Sequence, residues 1–408
     1  MSNSELPKGD TLSLPKGWRE CKLGDAPLNV IDGDRGVNYP KKSEMYSKGY
    51  CVFLSTKNVT INGFDFTETF YITKEKDEQL RKGKLSKYDV ILTTRGTVGN
   101  IAFYNDNIDV ANVRINSGMV IIRSTNMYPT FTYYQFKYLS KSVFYEYISG
   151  SAQPQLPIRD LKKIPINLPP LAEQKAIAEV LSSLDDKIDL LHKQNQTLED
   201  MAQTLFREWF IEKADEGWEE VPLSEVVETT SGGTPSRKNM DYYINGKYNW
   251  IKSKELNRSF IDGTEEKITE EALKKSSAKL LPKNSILIAM YGATVGEYAI
   301  TTKEMTCNQA ICAVKPNKDY PYTFLFMWIK NLREEILNMA IGSAQQNISQ
   351  ALIKQLMISK NINLIKNYHS KVYELFEKIQ INQNQIKTLE QTRDTLLPKL
   401  MSGQVRVV

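Results

Sequence analysis

Apolar positions along this chain follow two rhythms. Short β-branched and aromatic runs, such as Asp89–Thr94 and Ser285–Ile288, lie between glycine-bearing turns such as Asn62-Gly63 and Asp262-Gly263, and they predict strands. Twice this pattern gives way to a long stretch without glycine. The first carries Ile177, Leu181, Leu184, Ile188, Leu191, Asn195, Leu198, Ala202, Leu205 and Trp209 in alternating steps of four and three. The second carries Ile365, Tyr368, Val372, Leu375, Ile379, Asn382, Ile386, Leu389, Arg393 and Leu396 in the same steps, until Pro398 is expected to end the helix. A 3.5-residue period marks helix-on-helix packing, so the expected object is an intramolecular coiled coil. The alternative, in which each helix packs on its own globular domain or drives homodimerisation, stays open at this point. Asn195 and Asn382, one in each seam, are suited to fixing register or else to ending the seam in solvent.

The two rhythms recur because the chain is written twice. Gly17-Trp18-Arg19-Glu20 returns as Gly217-Trp218-Glu219-Glu220, and Phe53-Leu54-Ser55-Thr56-Lys57 as Trp250-Ile251-Lys252-Ser253-Lys254. Thr97-Val98-Gly99 returns as Thr294-Val295-Gly296, Gly150-Ser151-Ala152-Gln153 as Gly342-Ser343-Ala344-Gln345, and Thr197-Leu198-Glu199 as Thr388-Leu389-Glu390. Order is kept, and the separation shrinks steadily from about 200 to about 190 residues, as a duplication with small insertions and deletions requires. Pro165, Pro169 and Pro170 separate the first helix from the lobe before it.

Composition narrows the chemistry. The chain has 408 residues, 41 % hydrophobic and 25 % charged, which is ordinary for several globular units. A formal charge of +5 permits nucleic-acid binding without establishing it. Four cysteines without a C-x-x-C pair, a polar start from Met1 to Asp10 and no long apolar run lead us to expect a reduced, cytoplasmic protein that is neither exported nor inserted in a membrane. Only two histidines, His192 and His369, are present, both in predicted helices, which leaves little material for a metal site or a Ser-His-Asp system. No phosphate loop and no Asn/Asp-Pro-Pro-aromatic loop appears. The triplets Glu173-Gln174-Lys175 and Glu265-Glu266-Lys267 look nuclease-like, but they arise by chance in a chain rich in Glu and Lys. No catalytic residue and no metal ligand is therefore expected.

Duplex DNA has a backbone of approximate two-fold symmetry, which suits a duplicated protein. If the seams pair antiparallel, helices of roughly 40 residues, about 60 Å long, would hold two reading heads more than one turn of DNA apart. Because the lobes differ in sequence, their half-sites should differ too, giving an asymmetric two-part target with an unread spacer.

At this point the residues carry a family resemblance. Gly150 to Ile166 (GSAQPQLPIRDLKKIPI), then Leu168 to Leu181 (LPPLAEQKAIAEVL) and Leu184 to Ile188 (LDDKI), resembles the junction of recognition domain and conserved helix in specificity subunits of type I restriction-modification systems. The tail Leu396 to Gly403 (LLPKLMSG) is similar to the end of that family's distal conserved region. In the second repeat the pattern is eroded, with Gln346-Asn347 in place of Pro154-Gln155 and Asn361-Ile362-Asn363-Leu364 where the first repeat has its Pro-Pro-Leu. The resemblance implies an α+β fold of two α/β-type target-recognition domains with pseudo-two-fold symmetry, joined by two long helices in an antiparallel coiled coil. It divides the chain into a first recognition domain at 1–165, a central helix at 166–213, a second recognition domain at 214–359 and a distal helix with tail at 360–408. It also implies a non-catalytic subunit that binds double-stranded DNA and assembles with two adenine-methyltransferase subunits and with restriction subunits. S-adenosylmethionine, ATP and magnesium would belong to those partners, and this chain would hold no cofactor.

Affinity should come from Lys and Arg on phosphates, and sequence choice from side chains at base edges. The candidates are Lys57, Arg95 and Arg114 in the first lobe and Lys252, Lys254 and Arg258 in the second, with Arg95 and Arg114 chosen as base readers because a guanidinium can bond guanine twice. The run Arg81-Lys82-Gly83-Lys84 with Lys87 reads as a phosphate-facing or exposed loop. Gly96, Gly99, Gly292 and Gly296 should shape turns, while Gln153 and Gln345 are polar candidates near the lobe-to-helix joint. The expected seam comprises Leu181, Leu184, Ile188, Leu191, Asn195, Leu198 and Leu205 against Val372, Leu375, Ile379, Asn382, Ile386, Leu389 and Leu396. A rival from another class is a coiled-coil adaptor whose lobes bind proteins, and a third is an enzyme with an unfamiliar site.

Overall fold

The computed structural model describes residues 14–150, 152–214, 217–340 and 347–407. The chain falls into two units, one formed by residues 1–188 and 388–408, the other by 189–387. Each unit holds one lobe together with a segment of each long helix.

In the first unit, alternating runs form a four-stranded antiparallel sheet in the order Leu28–Asp32, Met119–Ser124, Val90–Thr93, Ile101–Phe103. A three-stranded sheet orders Phe70–Ile72, Cys51–Leu54 and Val113–Ile115, the last pair parallel. Arg19–Lys22 pairs with Pro165–Leu168 and so closes the lobe beside the start of the central helix. The central strands are buried on both faces, which is why Val90–Thr93 reads as a continuous apolar run without alternation.

The second unit repeats this plan. Its large sheet orders Glu228–Ser231, Ile311–Lys315, Ile286–Ala289 and Tyr298–Thr301, with Phe260–Ile261 added in parallel at the edge. Glu266–Ile268, Tyr248–Ile251 and Thr306–Cys307 form the three-stranded sheet, and Glu220–Pro222 pairs with Met357–Ser359. The duplication seen in sequence is thus a duplication of topology.

The long helices are Leu171–Arg207, followed by a π-helical turn at Glu208–Glu212, and Ile362–Met401. Within each unit their segments run antiparallel. In the first, Arg393 pairs with Asp185 at 2.7 Å and Arg406 with Glu173 at 2.8 Å. In the second, Asn382 Nδ2 donates to Asn195 Oδ1 at 2.9 Å, and the Tyr368 hydroxyl donates to Ala202 O at 3.0 Å. Leu181, Ile188, Leu191, Val372, Ile379, Asn382 and Ile386 are buried, whereas Leu184, Leu198, Leu205, Leu375, Leu389 and Leu396 are half-buried.

Each helix also packs on a lobe, so the two packing modes set against each other in the sequence coexist. Ile177, Ala178 and Leu181 join Leu397, Leu400 and Met401 in the core of the first lobe, while Phe206 and Phe376 enter that of the second. The Phe376 ring stands edge-on to Phe260, Tyr322 and Phe326. The expectation that Pro398 ends the distal helix fails. Proline removes its own N–H and crowds the carbonyl four residues back, a cost met here in the last turn, where neighbouring Leu397, Leu400 and Met401 are buried. The helix instead closes at Gly403, whose φ of +76° few other residues accept.

The string that carries the resemblance at the first joint has a structural use. Glu173 is buried in the first helical turn, accepts from Trp18 Nε1 at 2.9 Å and accepts from Arg406 Nε and Nη2. The Arg406 guanidinium holds the Glu173 carboxyl below the usual carboxylate range, against the opposing effect of burial. Gln174 accepts from Tyr128 N and donates to Pro169 O, each at 2.9 Å. These bonds fasten the lobe, the helix start and the chain's tail together.

Candidate nucleic-acid interface

Strand register brings particular loops to one edge of each lobe. In the first, Asp32 lies opposite Val120, Thr93 opposite Met119 and Leu54 opposite Ile115, so the segments after Asp32, Leu54 and Thr93 emerge beside the one before Met119. Their approach is close: a side chain at Gly118 would meet Thr56 Cγ2 at 2.7 Å and Arg95 Cβ at 3.9 Å. Gly96 and Gly99 adopt φ of +72° and +95°, which shapes the turn that presents Arg95. The structure therefore brings the turn carrying Lys57 next to Arg95. Both are exposed, and neither enters an ion pair among the described residues.

Arg35, not singled out from sequence, joins this edge, as does Arg81 from the basic run. Arg35 Nη2 donates to Ser117 O at 3.1 Å and its Nε lies 3.2 Å from Asp32 Oδ2, while Arg81 Nη2 lies 3.0 Å from the Cβ position of Gly36. Buried Asp34 fastens the loop by accepting from Gly36 N and Arg81 N at 2.7 and 2.8 Å. The available signal was a Gly33-Asp34-Arg35-Gly36 turn following a strand.

Arg114 is a correction. It lies on the middle of a strand, 5 % exposed, with Nε on Asp77 and its outer nitrogens on the backbone carbonyls of Lys82, Asp77 and Leu80. Four of its five N–H groups are spent inside the lobe, which leaves no two-pronged fork for a base, and its work is to neutralise buried Asp77. Lys84 shares that carboxylate, and Lys87 donates to Asn105 O and Ile108 O at 3.0 Å, so part of the basic run is also spent inside the lobe.

The second lobe presents the equivalent edge with more acid in it. Lys252 Nζ lies 3.0 Å from Glu265 and 3.3 Å from Glu266, and Lys254 Nζ lies 2.8 Å from Glu265. Burial works against the Lys252 charge, but the hydrogen bonds to both carboxylates outweigh it and hold its pKa above the usual lysine value. Arg258 is bonded twice to Glu297, at 2.7 and 2.6 Å, and Arg333 shares that carboxylate, so it offers little to a base. Arg237 joins the cluster through Glu266 at 2.6 Å. Exposed Tyr291 occupies the place of Arg95, since Tyr291 bridges to Asn347 as Arg95 does to Gln155. Gln153 is exposed; Gln345 lies outside the described residues. Among the described residues no group of His, Cys, Asp or Glu could hold a metal ion, and no helix is long and apolar enough to cross a membrane.

Fold and loops together define a duplicated α+β protein with a basic loop edge on each lobe. The model for the type I restriction modification DNA specificity domain matches residues 15–200 and again 215–391, and the chain belongs to that family. A type I restriction enzyme MjaIX specificity subunit from Methanocaldococcus jannaschii is 27 % identical over 430 residues, covering 99 % of this chain and 97 % of the relative. The HindI specificity subunit of Haemophilus influenzae is 24 % identical over 470 residues, covering 95 % and 99 %. Among solved structures, a type I restriction-modification S subunit from M. genitalium shares the fold with a TM-score of 0.61 at 17 % identity, covering 97 % of this chain and 98 % of that one.

Proposed function

We propose that this chain is the DNA-reading specificity subunit of a type I restriction-modification complex, each lobe reading one half of an asymmetric two-part target. The observation that carries this reading is that one DNA-specificity model matches both halves of a chain whose lobes repeat one topology. The basic loop edges support it, since strand-end loops can enter a groove while the sheets stay rigid. The chain itself is non-catalytic and targets its partners: two adenine-methyltransferase subunits and, for cleavage, restriction subunits. S-adenosylmethionine, ATP and magnesium act on those subunits, in the cytoplasm where the chromosome lies. Lys57 and Arg95 in the first lobe, and Lys252 and Lys254 in the second, meet DNA.

The test is selection from a random duplex library by the chain assembled with its methyltransferase subunits. Enrichment of a two-part motif with a fixed gap is the expected result. Absence of any sequence preference in the assembled complex would overturn the proposal and leave the protein-binding adaptor as the reading to pursue.

A further inference from the structure

Arg237 follows the first strand of the second lobe's large sheet, in a loop held by two aromatic residues. Trp250, 2 % exposed, donates from Nε1 to Gly233 O at 2.9 Å, and the Tyr243 hydroxyl donates to Pro235 O at 2.6 Å. The two rings meet edge to face, their centroids 5.8 Å apart. Over them lies the guanidinium, with Cζ 4.1 Å from the Tyr243 centroid and 5.2 Å from that of Trp250. Nη2 donates to Glu266 Oε2 at 2.6 Å, yet 47 % of the Arg237 side chain is exposed. Nε and Nη1 have no partner among the described residues.

This is more preparation than a phosphate contact needs. Phosphates are met well by mobile cations, whereas this guanidinium is held in one plane by two rings and a carboxylate. A base edge calls for such a plane. Reading it gains from a planar fork fixed in advance, because less side-chain freedom is lost on binding. We propose that Arg237 reads a base presenting two adjacent acceptors, guanine through O6 and N7, in the half-site of the second lobe, with Tyr243, Trp250 and Glu266 as positioning residues. The assignment rests on the DNA-reading function proposed above. The first lobe carries a counterpart in Arg35, which also follows the first strand of its large sheet and is held by Asp32 and by Ser117 O.

The experiment replaces the gene in its host with wild type, Arg237→Lys, Glu266→Gln or Lys238→Ala and maps adenine methylation across the genome. Wild type and Lys238→Ala are expected to give the same two-part motif. Arg237→Lys keeps the charge and loses the fork, so preference should fall roughly 5- to 150-fold at one base pair of one half-site, with the other half-site and the gap unchanged. Glu266→Gln should relax the same position more weakly. A motif unchanged in Arg237→Lys, with lower occupancy at every site, overturns the proposal and makes Arg237 a phosphate or packing group. Should Arg237→Lys abolish methylation, Glu266→Gln decides: relaxation at a single position supports the proposal, and an unaltered motif sinks it. A wild-type complex that methylates no two-part motif fails the functional reading itself, separately from Arg237.

Discussion

At the scale of single residues, burial decides what a cation does. Arg114 and Arg95 are both arginines near strand ends in the sequence, yet one is 5 % exposed on a carboxylate and the other stands in a loop. Arg114→Ala leaves Asp77 buried without its main partner and should destabilise the protein by about 3 kcal/mol in chemical denaturation. Burial opposes the Asp77 charge, but hydrogen bonds from Lys84 and Arg114 outweigh it and hold the carboxyl below its ordinary range. A carboxyl whose pKa is lower folded than unfolded contributes fully above the unfolded value of about 4 and loses that contribution as pH falls through the folded value. The stability gap between wild type and Asp77→Asn should therefore be widest near neutrality and close below about pH 4, as denaturation at a series of pH values can measure. Lys57→Ala should weaken DNA binding alike for all sequences and reduce the slope of log K against log salt by about 1. These residues also mark what was legible: the sequence placed Lys57 and Arg95 on loops, but the carboxylates that occupy Arg114 and Arg258 lie 37 and 39 residues away in the chain.

At the scale of elements, the long helices show how a periodic pattern is read and where it stops. A step of four and three fits a helix partner, and it held for Val372, Ile379 and Ile386. It missed Phe206 and Phe376, which lie off the seam and are buried because a lobe covers a second face of each helix. Asn382 is fully buried and bonded to Asn195 through Nδ2, while its Oδ1 has no partner in the structure. Asn382→Ala alone should cost about 2 kcal/mol, since it adds a void and strands Asn195. Replacing both by leucine removes the desolvated amides together and should equal or exceed wild-type stability in thermal melts, at the expense of the register they impose. A double variant as unstable as the single one would refute the register role.

At the scale of the whole molecule, duplication is the organising fact. The lobes share the order of four strands in the large sheet and of the three-stranded sheet, while their loop edges differ: Tyr291 stands in one lobe where Arg95 stands in the other. Exchanging residues 216–359 for the corresponding lobe of another family member should change one half-site and leave the other intact, as methylation mapping would report. Change in both halves would contradict independent lobes. Identity with the relatives is low over nearly the full length, 27 % and 24 %.

The sequence by itself determined the repeat, the two long helices, the core strands and the family, because periodicity and collinear strings are local and survive in one dimension. Tertiary structure decided which cations are free, that Pro398 could stay within a helix, and that Arg237 rests on Tyr243 and Trp250 beside Glu266. Those outcomes depend on burial and on which side chains the folded loops bring into contact, which the order of residues along the chain does not state.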